Sequence, residues 1–254
     1  MLSIVFKHLS KTENIGDRSC SPFAHVGELS LNAQVLDLYD PTPPCDAVVY
    51  GGGKIFGPLY STLNSNDRNA ALRIAWGVST VQANPFSPRY YLSRKSMHLV
   101  GSRDYGDTRY EFAPCASCMS TIFDEQFKIE HDVVFYAHKE KTAQMSLGVP
   151  NHIPKIDNHA TTMAEAIKFI ASGDIVVTNS YHGVYWALLL GRRVLCIPFS
   201  NKFSHYRLPP GYSNGSDWKN SLKLAQRQDE MLSLCREATA SFKLKVLERL
   251  STIA

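Results

Sequence analysis

The densest group of chemically capable residues lies in Asp174-Ile-Val-Val-Thr-Asn-Ser-Tyr-His-Gly183, where Thr178, Asn179, Ser180 and His182 crowd between a β-branched run and an apolar stretch. Read as strand, polar turn and helix, this places hydroxyls, an amide and an imidazole at a helix start, where the backbone carries partial positive charge suited to an anion. Imidazole titrates near neutrality and can donate or accept a proton. A lone histidine is more often structural, but one among polar residues at a strand end is not typical of a core. Downstream, Arg193-Val-Leu-Cys-Ile-Pro-Phe-Ser-Asn-Lys202 reads as a strand running into a loop with a lysine, either an anion contact or a surface charge. Upstream, Val100-Gly-Ser-Arg-Asp104 ends another strand with Arg103, whose planar fork can clamp a carboxylate or phosphate; an Arg103–Asp104 surface pair is the plainer alternative.

Glycine turns mark other strand ends. In Thr12-Glu-Asn-Ile-Gly-Asp17, Gly16 permits a tight turn, while Asn14 and Asp17 put polar groups at a helix start, as a cap or as ligand contacts. Gly51, Gly52 and Gly53 would let the backbone approach a ligand and offer amides to an anion, or form a plain flexible turn. No Gly-Lys-Ser/Thr follows, so this is no Walker loop, and the spacing is wrong for a dinucleotide fingerprint. Trp76-Gly-Val-Ser79-Thr80 adds a glycine-plus-hydroxyl turn. Cys115-Ala-Ser-Cys118 lacks the second pair that a structural zinc site needs, so loop packing is expected and no metal site is assigned.

Ligands in open parallel sheets bind at the carboxyl ends of strands, and the chain between these groups reads as such a sheet. Strands are expected over Ser3–Lys7, Gln34–Leu38, Ala47–Tyr50 and Arg73–Trp76, then over His98–Ser102, Asp132–Ala137, His152–Ile156, Asp174–Thr178 and Arg193–Pro198. Helical patterns fall at Ser61–Leu72, at Thr161–Ser172 and over the long segment Leu222–Ile253. Alternating strands and helices imply parallel βαβ units in two Rossmann-like α/β halves meeting near residue 95.

The chain of 254 residues is 44% hydrophobic and 20% charged, which suits a folded protein with a proper core. A net charge of +4 is too small to indicate nucleic-acid binding but suits anionic substrates. The run Met1–His8 carries no basic leader or cleavage site, and Gly183–Phe199 is cut by Gly191-Arg-Arg193, so a cytoplasmic protein with six free thiols is expected.

In their order along the chain, Asn14-Ile-Gly-Asp17, Gly51-Gly-Gly53, Trp76-Gly-Val-Ser79, Ser102-Arg-Asp104, Ser180-Tyr-His-Gly183 and Pro198…Lys202 resemble the polysaccharide pyruvyl transferase family. Pro114-Cys-Ala-Ser-Cys-Met119 looks like a segment of its bacterial exopolysaccharide members. The resemblance implies a GT-B-like fold of two Rossmann-like domains with parallel sheets facing a central cleft. Residues 1–95 would then serve the acceptor and 96–220 the donor, with 221–254 packing back as a helical segment. It implies transfer of the pyruvyl group of phosphoenolpyruvate onto two hydroxyls of an exopolysaccharide or capsule precursor, giving a cyclic ketal and phosphate. The donor would lie near Arg103, His182 and Lys202, with His182 as acid and Asp17 as base. Asn14 would orient the acceptor, and Gly16, Gly51, Gly52, Gly53, Ser79, Asn179 and Ser180 would line the substrates. No metal or other cofactor is implied. The acceptor would be a free or lipid-linked saccharide, the latter putting the protein at the inner membrane surface, where the basic end of the last helical segment suits peripheral contact. Two other readings share these features: a GT-B glycosyltransferase using a nucleotide sugar, with Asp157 or Glu165 for the ribose, and a non-catalytic glycan- or anion-binding protein.

Overall fold

Continuous apolar runs, without polar alternation, are what strands buried on both faces require. β1 (Ile4–His8) and β3 (Ala47–Gly51) are buried along their whole length. In the computed structural model, which describes residues 2–25, 33–81, 87–160, 162–215 and 217–253, these strands sit inside a parallel six-stranded sheet. In chain order its unit contains β1, the short α1 (Ile15–Arg18), β2 (Ala33–Asp37), β3, α2 (Phe56–Thr62), α3 (Ser65–Asn69), β4 (Leu72–Val78), α4 (Pro88–Ser96), β5 (Leu99–Ser102) and β6 (Glu111–Phe112). The strand order is β2-β1-β3-β4-β5-β6, with every pairing parallel.

The second unit holds a parallel five-stranded sheet. Its elements are β7 (His131–Ala137), α5 (Lys139–Met145), β8 (Lys155–Asp157), α6 (Met163–Ala171), β9 (Gly173–Thr178), α7 (Tyr181–Leu189), β10 (Arg193–Cys196) and β11 (Gly211–Tyr212), in sheet order β11-β10-β9-β7-β8. The last helix, α8 (Met231–Ser251), supplies Cys235 onward to the first unit. The first unit thus comprises Met1–Thr12, Asp17–Met119 and Cys235–Ala254, and the second Glu13–Gly16 and Ser120–Leu234. Among the described residues no helix is long and apolar enough to cross a membrane.

Side chains of successive strand residues point to opposite faces of a sheet, and the first unit's core divides accordingly. Phe6, Val49, Ile74 and Trp76 pack under Phe242, Val246 and Leu250 of α8, with the Trp76 and Phe242 rings edge to face at 5.0 Å. Val48, Tyr50 and Ala75 face the other way, onto Phe56 and Leu59 of α2 and Tyr90 of α4. A buried lysine interrupts this second face. Lys7 of β1 donates to the Asp40 carbonyl at 2.8 Å and the Thr42 hydroxyl at 2.9 Å, with the Asp67 carboxylate 3.8 Å away. In the second unit, α6 follows a capping box in which Thr162 and Glu165 exchange hydrogen bonds, and buries Ala166, Ile167 and Ile170.

Several sequence expectations are corrected. The strand at 98–102 pairs with β4, so the first series of strands continues through β6 and the changeover follows Met119, not residue 95. The pattern Ser61–Leu72 is two helices and the start of a strand: α2 ends at Thr62, Asn64 caps α3, and Leu72 opens β4. The run His152–Ile156 contributes only Lys155 and Ile156 to β8, which runs on to Asp157; Pro154 has no N–H to offer and takes part through its carbonyl, which accepts from Phe135 N–H at 2.9 Å. The segment Leu222–Ile253 is not one helix. Residues Leu222–Leu224 form a 3-10 turn and Gln226 pairs with Val194, so α8 starts at Met231. Thr161, the first residue of the pattern that became α6, lies outside the described residues.

Candidate functional site

In the second unit, three strand ends gather the polar residues. Ser180 is the N-cap of α7, its hydroxyl accepting from Gly183 N–H at 3.4 Å, which settles why a serine precedes this apolar helix. Every residue of α7 is buried, so the histidine in its first turn is held by packing: the His182 ring lies 5.3 Å from Trp186 and 5.6 Å, edge on, from Tyr181. Gly16 belongs to the same unit. A Cβ there would fall 2.2 Å from His182 Nδ1, so only glycine lets the Glu13–Gly16 segment lie against the imidazole. That segment is fixed by Ile15 N–H donating to the Asn158 carbonyl at 2.8 Å and Gly16 N–H donating to Asn14 Oδ1 at 3.1 Å. Asn14, Gly16 and His182, far apart in sequence, therefore form one group.

Beyond β10, the Lys202 ammonium lies 4.6 Å from the Phe199 ring centroid and Lys141 lies 5.7 Å from the same ring. His138, the residue directly after β7, meets Phe199 edge on at 5.5 Å and places Nδ1 2.9 Å from a Glu140 oxygen. Asn179 is fully buried, and its Oδ1 accepts from His138 N–H at 2.7 Å and Thr142 Oγ1–H at 3.0 Å. Both lone pairs are thus engaged, and Asn179 positions His138 and α5 instead of presenting its carbonyl to a ligand. His138 and Lys141 were absent from the sequence reading, although His138 follows its strand as closely as Asn179 follows β9.

Burial holds the His138 imidazole below its ordinary value, with Lys202 pushing the same way and Glu140 opposing. It is neutral in the folded protein at a pH where the unfolded chain already binds the proton. Stability present above about pH 6.5 is lost as the pH falls through that value toward the lower folded one. In chemical denaturation between pH 7.5 and 5, His138→Gln should flatten this decline; an unchanged slope would show that His138 titrates alike in both states.

The first unit gathers the other candidates. Gly52 and Gly53 have φ of +54° and +73°, a region that favours glycine, and they knit the strand ends. Gly52 N–H donates to the Trp76 carbonyl at 2.8 Å, and Ser79 N–H donates to the Gly53 carbonyl at 2.9 Å. Gly51 is closed in by Pro22 and Cys20, and a Cβ on Gly53 would lie 3.4 Å from Asp17 Oδ1. Arg103 is 4% exposed. Burial pushes the Cys20 thiol well up; Cys115 and Asp17 add to this and Arg103 opposes it, so Asp17, Cys20, Arg103 and Cys115 share one neighbourhood. Arg103 and Asp104 are not a surface pair. Asp104 is equally buried, and its Oδ2 accepts from Ser79 Oγ–H at 2.8 Å, Thr80 N–H at 2.7 Å and Val81 N–H at 2.8 Å. Ser79 is therefore tied to Asp104, a residue whose role in fixing this turn the sequence did not disclose.

Cys115 and Cys118 are buried packing groups, Cys118 meeting the Thr239 hydroxyl at 3.3 Å. Among the described residues no group of three or more His, Cys, Asp or Glu side chains could hold a metal ion. The candidates thus divide by unit: Asn14, Gly16, Asn179, Ser180, His182 and Lys202 in the second, and Asp17, Gly51, Gly52, Gly53, Ser79 and Arg103 in the first.

No family model and no curated protein matches the chain. Solved structures do. An uncharacterized protein from Klebsiella pneumoniae is 11% identical with a TM-score of 0.52, over 79% of this chain and 84% of its own. A protein from Listeria monocytogenes, described as a candidate UDP-N-acetylglucosamine 2-epimerase, is 12% identical with a TM-score of 0.50, over 94% of this chain and 90% of its own. At such identities the likeness concerns the fold alone, which is α/β and GT-B-like with two Rossmann-like units.

Proposed function

We propose that the protein is a pyruvyl transferase that moves the pyruvyl group of phosphoenolpyruvate onto two hydroxyls of a saccharide, forming a cyclic ketal and releasing phosphate. The observation that carries this reading is the His182 group: an imidazole in the first turn of a buried helix, backed by Gly16, in a unit whose neighbouring strand ends bring Lys202, Lys141 and His138 around Phe199. A donor bearing both carboxylate and phosphate calls for several cations and a positively polarised helix start. The ordered motifs of the sequence support the same reading.

In this reaction the imidazolium of His182 gives its proton to the methylene carbon, and the first sugar hydroxyl bonds to the adjacent carbon as its proton passes to Asp17. The C–O bond to phosphate then breaks with its electron pair and the second hydroxyl takes the vacated bond. Of the two hydroxyl protons, one ends on the new methyl group and one on phosphate, so both residues return to their starting states. Arg103 and Lys202 meet the charge of the donor and the leaving phosphate. Asn14 orients the acceptor, the glycine turns let the strand ends pack closely, and Asn179, Ser180 and Ser79 hold those ends in place. The acceptor belongs to exopolysaccharide or capsule synthesis, whether free or carried on lipid.

The test is thermal stability with phosphoenolpyruvate for wild type, Arg103→Ala and Arg103→Lys. A ligand bound only by the folded state adds about 2.7 kcal/mol at a hundredfold excess over its dissociation constant. Wild type should show this rise, Arg103→Ala should lose it and Arg103→Lys should keep part of it. No rise in wild type, with or without a saccharide mixture, overturns the reading.

A further inference from the structure

A cavity of about 710 Å³ opens in the second unit between α5, the turn after it and the edge strand β8. None of the groups assigned above to pyruvyl transfer lines it. Its wall is apolar, formed by Phe135, Leu147, Val149 and Ile156, while three charges stand around it: Lys139, Lys155 and Asp157. This size and balance, mostly apolar with a few placed polar groups, is that of a small-molecule site.

The charges narrow the ligand. Asp157 ends β8, and its Oδ1 accepts from His159 N–H at 2.9 Å, which pins the carboxylate at the wall. A carboxylate accepts hydrogen bonds and repels anions, so it suits a pair of hydroxyls. Two ammonium groups suit phosphate. An apolar slot, a hydroxyl acceptor and two cations match the base, ribose and phosphates of a nucleoside phosphate. They match a simple alkyl phosphate less well, since it has no hydroxyls to offer Asp157. The turn is built to hold a shape: Ser146, at φ +50°, is the one non-glycine residue with positive φ among the described residues, and Gly148 follows at +56°. Such conformations persist where the surroundings impose them, ligand clamps among them.

We propose that this cavity is a nucleoside diphosphate site, with Asp157 on the ribose hydroxyls and Lys139 and Lys155 on the phosphates. The proposal stands independently of pyruvyl transfer. It is tested on the full chain by equilibrium dialysis with ADP, GDP, CDP and UDP, using inorganic pyrophosphate and dodecyl phosphate for comparison. At least one nucleotide should bind, and its 2′,3′-dideoxy form should bind roughly tenfold or more weakly, the order of a charged hydrogen bond. Asp157→Asn should remove most of that difference, and a Lys139→Gln/Lys155→Gln protein should weaken the nucleotide by a similar factor. Val149→Trp, which fills the slot, should abolish binding while leaving the phosphoenolpyruvate shift intact. No nucleotide binding overturns the proposal. So does pyrophosphate or dodecyl phosphate binding as tightly as the nucleotides, or nucleotide binding that survives Val149→Trp. A nucleotide signal without a phosphoenolpyruvate shift would reject pyruvyl transfer and keep this site.

Discussion

Replacing His182 with glutamine or alanine will lower ketal formation by about 10²–10⁴-fold, the usual contribution of a positioned general acid. The expected loss follows from two features together. The imidazole is the one group in the α7 first turn with a proton to exchange near neutrality, and it is clamped between Trp186 and Gly16. Phosphate release from phosphoenolpyruvate, measured with an acceptor found by screening wild type, reads the effect. His182→Gln keeps a polar group in the cage and separates chemistry from packing. Loss in the alanine protein with near-full turnover in the glutamine protein would assign His182 a packing role and remove the acid from the proposed reaction. The phosphoenolpyruvate thermal shift should persist in both proteins, because the proposed reaction leaves the donor charge to Arg103 and Lys202.

The second large effect concerns stability. Asp67 is fully buried; it accepts from the Thr42 hydroxyl at 2.7 Å and from Asn64 N–H at 2.8 Å, and it faces the buried Lys7 ammonium. Removing one partner of a buried pair leaves the other charge uncompensated, so Asp67→Ala should cost about 3–5 kcal/mol. The cost should appear as a lower urea midpoint at unchanged slope. A Lys7→Met/Asp67→Leu protein should lose far less, since apolar groups of similar volume need no partner. If the double variant is the weaker of the two, the network contributes net stability beyond charge balance.

The burial of Lys7 does not stand out in the sequence, and the reason is physical. Lys7 lies in a strand pattern where any lysine reads as solvated, and only the fold brings Thr42 and Asp67 to it. The same holds for Asp104, whose three donors come from the turn after β4. What local chemistry determines was readable. The β-branched runs became strands because burial on both faces demands them, and the turn ahead of α7 announced itself through Ser180 and Gly183. Boundaries failed where a local signal was overlooked. Asn64 and Asp67 form a capping box that divides α2 from α3, and Pro58 is tolerated because it sits in the first turn of α2. The cavity beside β8 was beyond reach, since its wall joins residues from β7, α5 and β8 that no periodicity relates. The sequence offers Asp157, or Glu165, for a ribose under the glycosyltransferase reading, but nothing in it places the cavity wall around that carboxylate.

The way the chain divides between its units bears on how it is made. Translation proceeds at about 5–20 residues per second, so a nascent chain waits on the order of ten seconds between Met119 and Cys235. Throughout that interval the face bearing Phe6, Val49, Ile74 and Trp76 lacks the helix that covers it. Glu13–Gly16 likewise emerges first but rests against His182, one of the later residues. Neither unit is one contiguous stretch: the second needs Glu13–Gly16 as well as Ser120–Leu234, and the first needs Cys235 onward from α8. The first unit can close only once α8 has been made, and a truncation before α8 should leave the face bearing Phe6 and Trp76 uncovered and prone to aggregate.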